Sequence, residues 1–208
     1  MYKNNDMPLI SLDRVGKDTV LGLWRIDESV DDFLRMGVVN DSLRAELDTM
    51  SSIQRRREVI AVRALLNRIF GYGVAYGHNE NGKPCLDNGY NVSVSHSKNI
   101  VSVIVSPQNK VAVDVEYVSR RVERVAGRLL RPDEHAETLM EKLLHWCTKE
   151  TLYKLYSEEH LSLTDIRVLS IDGDSVSGTV SAKNVQRIET LNVDYYISDG
   201  FVLTYVVL

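Results

Sequence analysis

Asp114 and Glu116 stand two apart in the run Val111-Ala112-Val113-Asp114-Val115-Glu116. If that run is a strand, alternate side chains share a face, so both carboxylates point one way and Val113 and Val115 the other. Two carboxylates side by side repel each other unless a cation lies between them. A hard divalent ion with oxygen ligands, magnesium above all, suits such a pair, and it usually keeps sites open for water or phosphate. A second block, Trp146-Cys147-Thr148-Lys149-Glu150-Thr151-Leu152-Tyr153-Lys154, puts Trp146, Glu150 and Lys154 four residues apart on one helical stripe. Lys149 is turned away from that stripe by about 100°. Alone, Glu150 and Lys154 would be a surface ion pair worth a few tenths of a kcal/mol, roughly.

Upstream, His96 lies between Ser95 and Ser97, a set of donors suited to a phosphate. These three are too close in sequence to form a nucleophilic triad by themselves. Gly82-Lys83-Pro84 is a turn presenting one lysine, without the flanking pattern of a P-loop. Arg55-Arg56-Arg57 opens a helix against the sense of its dipole, which hints at a nearby anion, and Arg63 follows two turns on.

The elements that must carry these residues follow from periodicity. Thr19 to Ile26 reads as a strand. Asn40 or Asp41 can cap a helix running to Met50, and Arg55 to Phe70 is a helix with Val59, Val62, Leu66 and Ile69 on one stripe and Gly71 at its end. Asn91 to Val105 and Val111 to Glu116 read as strands separated by a turn at Pro107-Gln108-Asn109. Helices are expected over Val122 to Leu130 and Leu139 to Tyr156. Strands follow over Ile166 to Ile171, Val176 to Ser181, Leu191 to Ser198 and Phe201 to Val207, with a hairpin signal at Ser198-Asp199-Gly200. This order predicts an α+β fold with largely antiparallel sheets.

At 208 residues the chain suits one sizeable domain or two small halves sharing a core. A net charge of −4 gives no reason to expect nucleic-acid binding. Two cysteines, Cys85 and Cys147, make neither a disulfide framework nor a thiolate metal site. No apolar run approaches a membrane span, and Met1 to Pro8 lacks the apolar core of a signal peptide, so a cytoplasmic protein is expected.

Taken together, the blocks resemble those of the 4′-phosphopantetheinyl transferase family, in its longer single-chain form acting on acyl and peptidyl carrier proteins. The family pattern is a hydrophobic-Gly-hydrophobic-Asp-x-Glu block followed by an aromatic-Ser/Cys/Thr-x-Lys-Glu-x-x-x-Lys block. Gly82-Lys83-Pro84 and Asn91-Val92-Ser93-Val94-Ser95-His96-Ser97 resemble two further family blocks. The likeness runs from about Arg55 to Ile171, and Ala112 stands where the family has glycine. The resemblance implies two similar α/β halves packed about a pseudo-twofold axis, residues 1–106 and 107–208, with coenzyme A in the cleft between them and the metal site in the second half. It implies magnesium on Asp114, Glu116 and Glu150, with Lys154 on the phosphates and Lys149 assisting. Glu150 is the first choice of general base and Glu116 the second, and His96 would donate to a phosphate. Coenzyme A contacts are implied for Arg57, Arg63, Lys83, Pro84, Ser95, His96, Asp114, Lys149 and Lys154, with Arg57, Arg63 and Lys83 toward the adenosine end. An apo carrier protein would dock beside Tyr117 to Arg128. Two fused halves make a monomer sufficient, and neither nucleic acid nor membrane is an implied partner. The competing expectations are a catalytically inactive coenzyme A or carrier-protein binder and a magnesium-dependent phosphohydrolase. Cys147 is assigned to packing.

Overall fold

The computed structural model describes residues 8–159, 161–198 and 200–208. Strands β1 (Leu9–Arg14) and β2 (Val20–Arg25) lead into three helices, α1 (Val30–Arg35), α2 (Asp41–Asp48) and α3 (Ile53–Phe70). A short hairpin, β3 (Tyr76–His78) and β4 (Pro84–Leu86), precedes β5 (Asn91–Ser97), β6 (Ile100–Ser106) and β7 (Val111–Tyr117). Helices α4 (Arg121–Leu129) and α5 (Leu139–Leu155) follow, then β8 (Ile166–Gly173), β9 (Ser177–Asn184), β10 (Glu189–Ile197) and β11 (Phe201–Val207). One sheet has the order β1-β2-β6-β5 and the other β7-β11-β10-β9-β8. Every paired neighbour in both is antiparallel. The fold is thus mixed α+β, with the first sheet drawn from residues before Pro107 and the second from residues after it. No helix among the described residues is long and apolar enough to cross a membrane.

Alternation in the strands decides which helix packs where. In β2, Trp24 faces α3 and joins Ile60, Leu65 and Leu66 in one core, while Leu21 and Leu23 point the other way. Gly22 also faces α3: a Cβ there would lie 2.8 Å from Leu65 Cδ1, so a larger residue would displace the Leu65 side chain. Leu21 and Leu23, with Ile100 and Ile104 of β6, meet Val113 and Val115 of β7 and Phe201 and Leu203 of β11 in a core shared by both sheets. On the far side of the second sheet, Leu152 and Leu155 of α5 cover Ala112, Val193 and Val206. Ala112 is therefore fully buried beneath α5.

Several elements differ from expectation. The single strand expected over Asn91 to Val105 is a hairpin, with β5 and β6 joined at Lys98 and Asn99. Lys98 takes the left-handed conformation (φ 51°) normally left to glycine or asparagine, so no residue type announces the turn. Helix α3 starts at Ile53, where Ser52 accepts from the Arg55 amide. Strand β1, helix α1 and the β3–β4 hairpin carry too few residues to show a period. The Ser198-Asp199-Gly200 signal includes Asp199, which lies outside the described residues; strands β10 and β11 pair on either side of it.

The two sheets meet along β5 and β7, which are not partners in either ladder. Ser93 Oγ accepts from the Val113 amide at 3.2 Å and Ser97 Oγ from the Tyr117 amide at 3.1 Å. Val113 is fully buried and Ser93 nearly so, so its amide has no access to water as a substitute. Ser93→Ala is expected to destabilise the protein by about 1–3 kcal/mol in urea unfolding, the cost of an orphaned buried amide; a loss below about 0.5 kcal/mol would contradict the seam's contribution.

Candidate functional site

The same seam carries the carboxylates. Ser95, between the two amide-binding serines, donates to Asp114 Oδ1 at 2.7 Å, and Ser97 donates to Glu116 Oε2 at 2.8 Å. Helix α5 lies over this face of β7. Trp146 Nε1 donates to Glu116 Oε1 at 3.2 Å, and Lys154 Nζ donates to Asp114 Oδ1 at 2.8 Å and to the Val113 carbonyl at 3.0 Å. Glu150 sits one turn from each on the same stripe. Its proton affinity is raised, first by burial and then by the charges of Asp114 and Glu116, with Lys154 pulling the other way. Glu116 is raised as well, by burial and then against the Ser97 hydrogen bond, with Asp114 adding to the rise. The three acids therefore share one electrostatic neighbourhood, balanced by one ammonium.

Among the described residues no three His, Cys, Asp or Glu side chains form a group that could hold a metal as they stand. Asp114 Oδ2, however, is buried without a hydrogen-bond partner. An orphaned carboxylate oxygen beside two carboxyl groups that resist ionisation is a donor set of the right chemistry for a hard divalent cation.

Next to this cluster a cleft of about 380 Å³ opens between α3, β3–β4, β5 and α5. Its wall includes His96, Lys83, Pro84 and Lys154, with Val59, Val62 and Tyr76 as apolar surface. Lys83 is only loosely paired, 3.8 Å from Glu158, so its charge is available to an anion. Arg63 stacks 4.3 Å above the Tyr76 ring, bonds Glu46 at 3.0 Å and keeps Nη1 buried without a partner. Arg63 itself is not in the cleft wall; it lies against Tyr76 and Glu46, which are.

Other expected residues lie elsewhere. Ser95 faces Asp114 rather than the cleft and acts on the carboxylate. Arg57 binds the carbonyls of Glu28 (2.6 Å) and Ile26 (2.9 Å), and Arg56 that of Met50 (2.8 Å), so two of the three consecutive arginines tie the helix start to neighbouring loops and not to an anion. Lys149 is fully buried on another side of α5, 2.7 Å from Glu134 and 3.0 Å from the Leu129 carbonyl. Burial pushes its pKa down, against the pull of Glu134. Cys147 is buried against Val202, its thiol held well above the usual range by burial, so it packs and does not react.

Sequence reasoning passed over Ser93 and Ser97 as positioning groups, though the Ser-x-Ser-x-Ser spacing matches the alternation of β7. It also passed over Glu134, for which no local signal exists. Compared with known proteins, the chain matches no family model and no curated protein. Lys149→Met should cost about 3–5 kcal/mol by leaving Glu134 as an unpaired buried charge, and Glu134→Gln in the same chain should recover much of it; chemical denaturation of the two variants tests this, and a near-neutral single variant would refute the structural role.

Proposed function

We propose that this protein transfers the 4′-phosphopantetheine group of coenzyme A to a serine hydroxyl of an apo acyl or peptidyl carrier protein and releases adenosine 3′,5′-bisphosphate. The observation that carries the reading is the grouping of Asp114, Glu116, Glu150 and Lys154 at the edge of a cleft that also presents His96 and Lys83. The four sequence blocks that resemble the transferase family all meet at this one place. The two sheets are then the two halves of that fold, with coenzyme A lying between them, and the protein is assigned to the cytoplasm.

In this mechanism Lys154 and His96 neutralise the diphosphate and Lys83 and Arg63 hold the adenosine end. Asp114, Glu116 and Glu150 would hold magnesium, which when bound would supply Lewis-acid stabilisation of the charge on the diphosphate. The carrier serine oxygen attacks the β-phosphorus, its proton passes to Glu150, and the bond from that phosphorus to the bridging oxygen breaks. Glu116, fixed by Ser97 and Trp146, is better suited to holding than to proton transfer. Lys149, committed to Glu134, takes no direct part.

Arg120, Arg121, Arg124 and Arg128 are exposed at and along α4. The positive charge of Arg121 acts on Glu116, which supports a docking surface on this side of the cluster. An acidic helix of a carrier protein is the complementary partner.

Incubation with coenzyme A, magnesium and an apo acyl carrier protein should raise the carrier's mass by one phosphopantetheine group. An unmodified carrier with coenzyme A still bound would instead make the protein a binder, and coenzyme A breakdown without carrier modification a hydrolase. Glu150→Gln should abolish transfer in a folded protein, and full activity in that variant would remove its assigned role. Arg120→Glu with Arg124→Glu should raise the carrier KM at least about tenfold, as expected for reversed interface charge, with coenzyme A binding unchanged; an unaltered carrier KM would dismiss the docking surface.

A further inference from the structure

Alternation in β5 turns His96 away from the serine seam and over the first turns of α3. A charged side chain lies against each ring nitrogen. Nε2 lies 2.6 Å from Arg55 Nη1, and Nδ1 lies 3.4 Å from Glu58 Oε2. Glu58 is itself fixed and nearly buried, with its side chain 11% exposed. Its Oε1 accepts from Gln54 Nε2 at 3.1 Å and its Oε2 from Arg55 Nη1 at 3.3 Å. Gln54 in turn donates to the Lys98 carbonyl at 2.6 Å, tying this group to the turn that ends β5. Glu58, Arg55 and His96 all line the cleft.

The donor inventory fixes the ring's proton. A guanidinium has donors and no acceptor, so the nitrogen it touches must offer a lone pair. Nε2 is therefore bare, and the single proton of the neutral ring sits on Nδ1, facing Glu58. The charged groups around the ring are Glu58 and Arg55 from α3, Lys154 from α5 and Asp114 from β7. Burial lowers the imidazole pKa most, Glu58 and Asp114 raise it, and Arg55 and Lys154 lower it. The ring is thus neutral near pH 7 in the free protein, and its Nε2 cannot yet donate to an anion.

We propose that Glu58 is a positioning residue that holds His96 as the Nδ1–H tautomer, and that a diphosphate entering the cleft draws the Arg55 guanidinium off Nε2 and leaves His96 protonated there. The ring takes its proton from solvent. It then donates from Nδ1 to Glu58 and from Nε2 to a phosphate oxygen, while the freed Arg55 becomes a second phosphate ligand. The physical drive is the exchange of a cation against Nε2 for an anion, with Glu58 as the standing counter-charge for the imidazolium. Glu58 carries no signal in the sequence, and Arg55 is marked there only as one of three consecutive arginines that hint at an anion. The inference rests on the proposed transferase reading only for what brings the diphosphate.

Nitrogen-resolved NMR of the imidazoles at neutral pH, with His96→Asn to assign the signal, tests this directly. In the free protein Nδ1 of His96 should carry the proton and Nε2 should not. Saturating inorganic diphosphate should protonate both nitrogens in the wild-type protein, whereas in Glu58→Gln the ring should stay largely neutral with diphosphate present. A proton on Nε2 in the free protein, a ring unchanged by saturating diphosphate, or full protonation in Glu58→Gln would each overturn the proposal. Failure to modify a carrier protein would count against the transferase reading and leave these NMR outcomes to decide this one.

Discussion

Two sheets that share a core but not a ladder leave backbone groups along the facing edges of β5 and β7 with no strand partner. Buried amides must still be satisfied, and here serine hydroxyls do it: Ser93 for Val113 and Ser97 for Tyr117. A hydroxyl can accept and donate at once, so Ser97 takes the Tyr117 amide and gives its own proton to Glu116. Ser95, between them, gives its proton to Asp114. The join between the sheets and the aim of the two carboxylates are therefore one set of hydrogen bonds. Alanine at any of the three positions would fill the space but leave a donor or acceptor unmet.

From that join the placement of charge follows. Asp114 is buried and would be costly there without its serine donor and the Lys154 ammonium. Glu116 is held at both oxygens, one by Ser97 and one by Trp146, and so is rigid. Glu150 is placed by α5 among the other charges, and its ionisation is opposed first by burial and then by Asp114. The arrangement concentrates negative charge beside the cleft, behind Lys154, and leaves Arg55, Lys83 and Lys154 along its wall. A divided distribution of this kind suits a ligand with an anionic middle bound next to a cation.

Much of this was legible in the chain because short periods carry it. The spacing of Asp114 and Glu116 on a strand, and of Trp146, Glu150 and Lys154 on a helix, placed each group on a single face, and the structure has those faces opposed. The antiparallel α+β architecture was legible for the same reason, from strands long enough to alternate. What the chain did not reveal was long-range. Nothing local says that Ser93 meets Val113 or that Lys149 meets Glu134. Lys149 reads as a site residue by adjacency, yet a 100° turn of the helix sends it into another core. Arg57 reads as an anion binder, yet two backbone carbonyls satisfy it. The Lys98 turn was hidden because its left-handed residue is neither glycine nor asparagine.

Native-state hydrogen exchange at the Val113 and Tyr117 amides measures the seam most directly. In the wild-type protein both should be protected like amides inside a ladder. Ser93→Ala should speed exchange at Val113 and leave Tyr117 slow, and Ser97→Ala should do the reverse. Exchange at both amides that ignores these substitutions would contradict the claim that the serines join the two sheets and set the carboxylates.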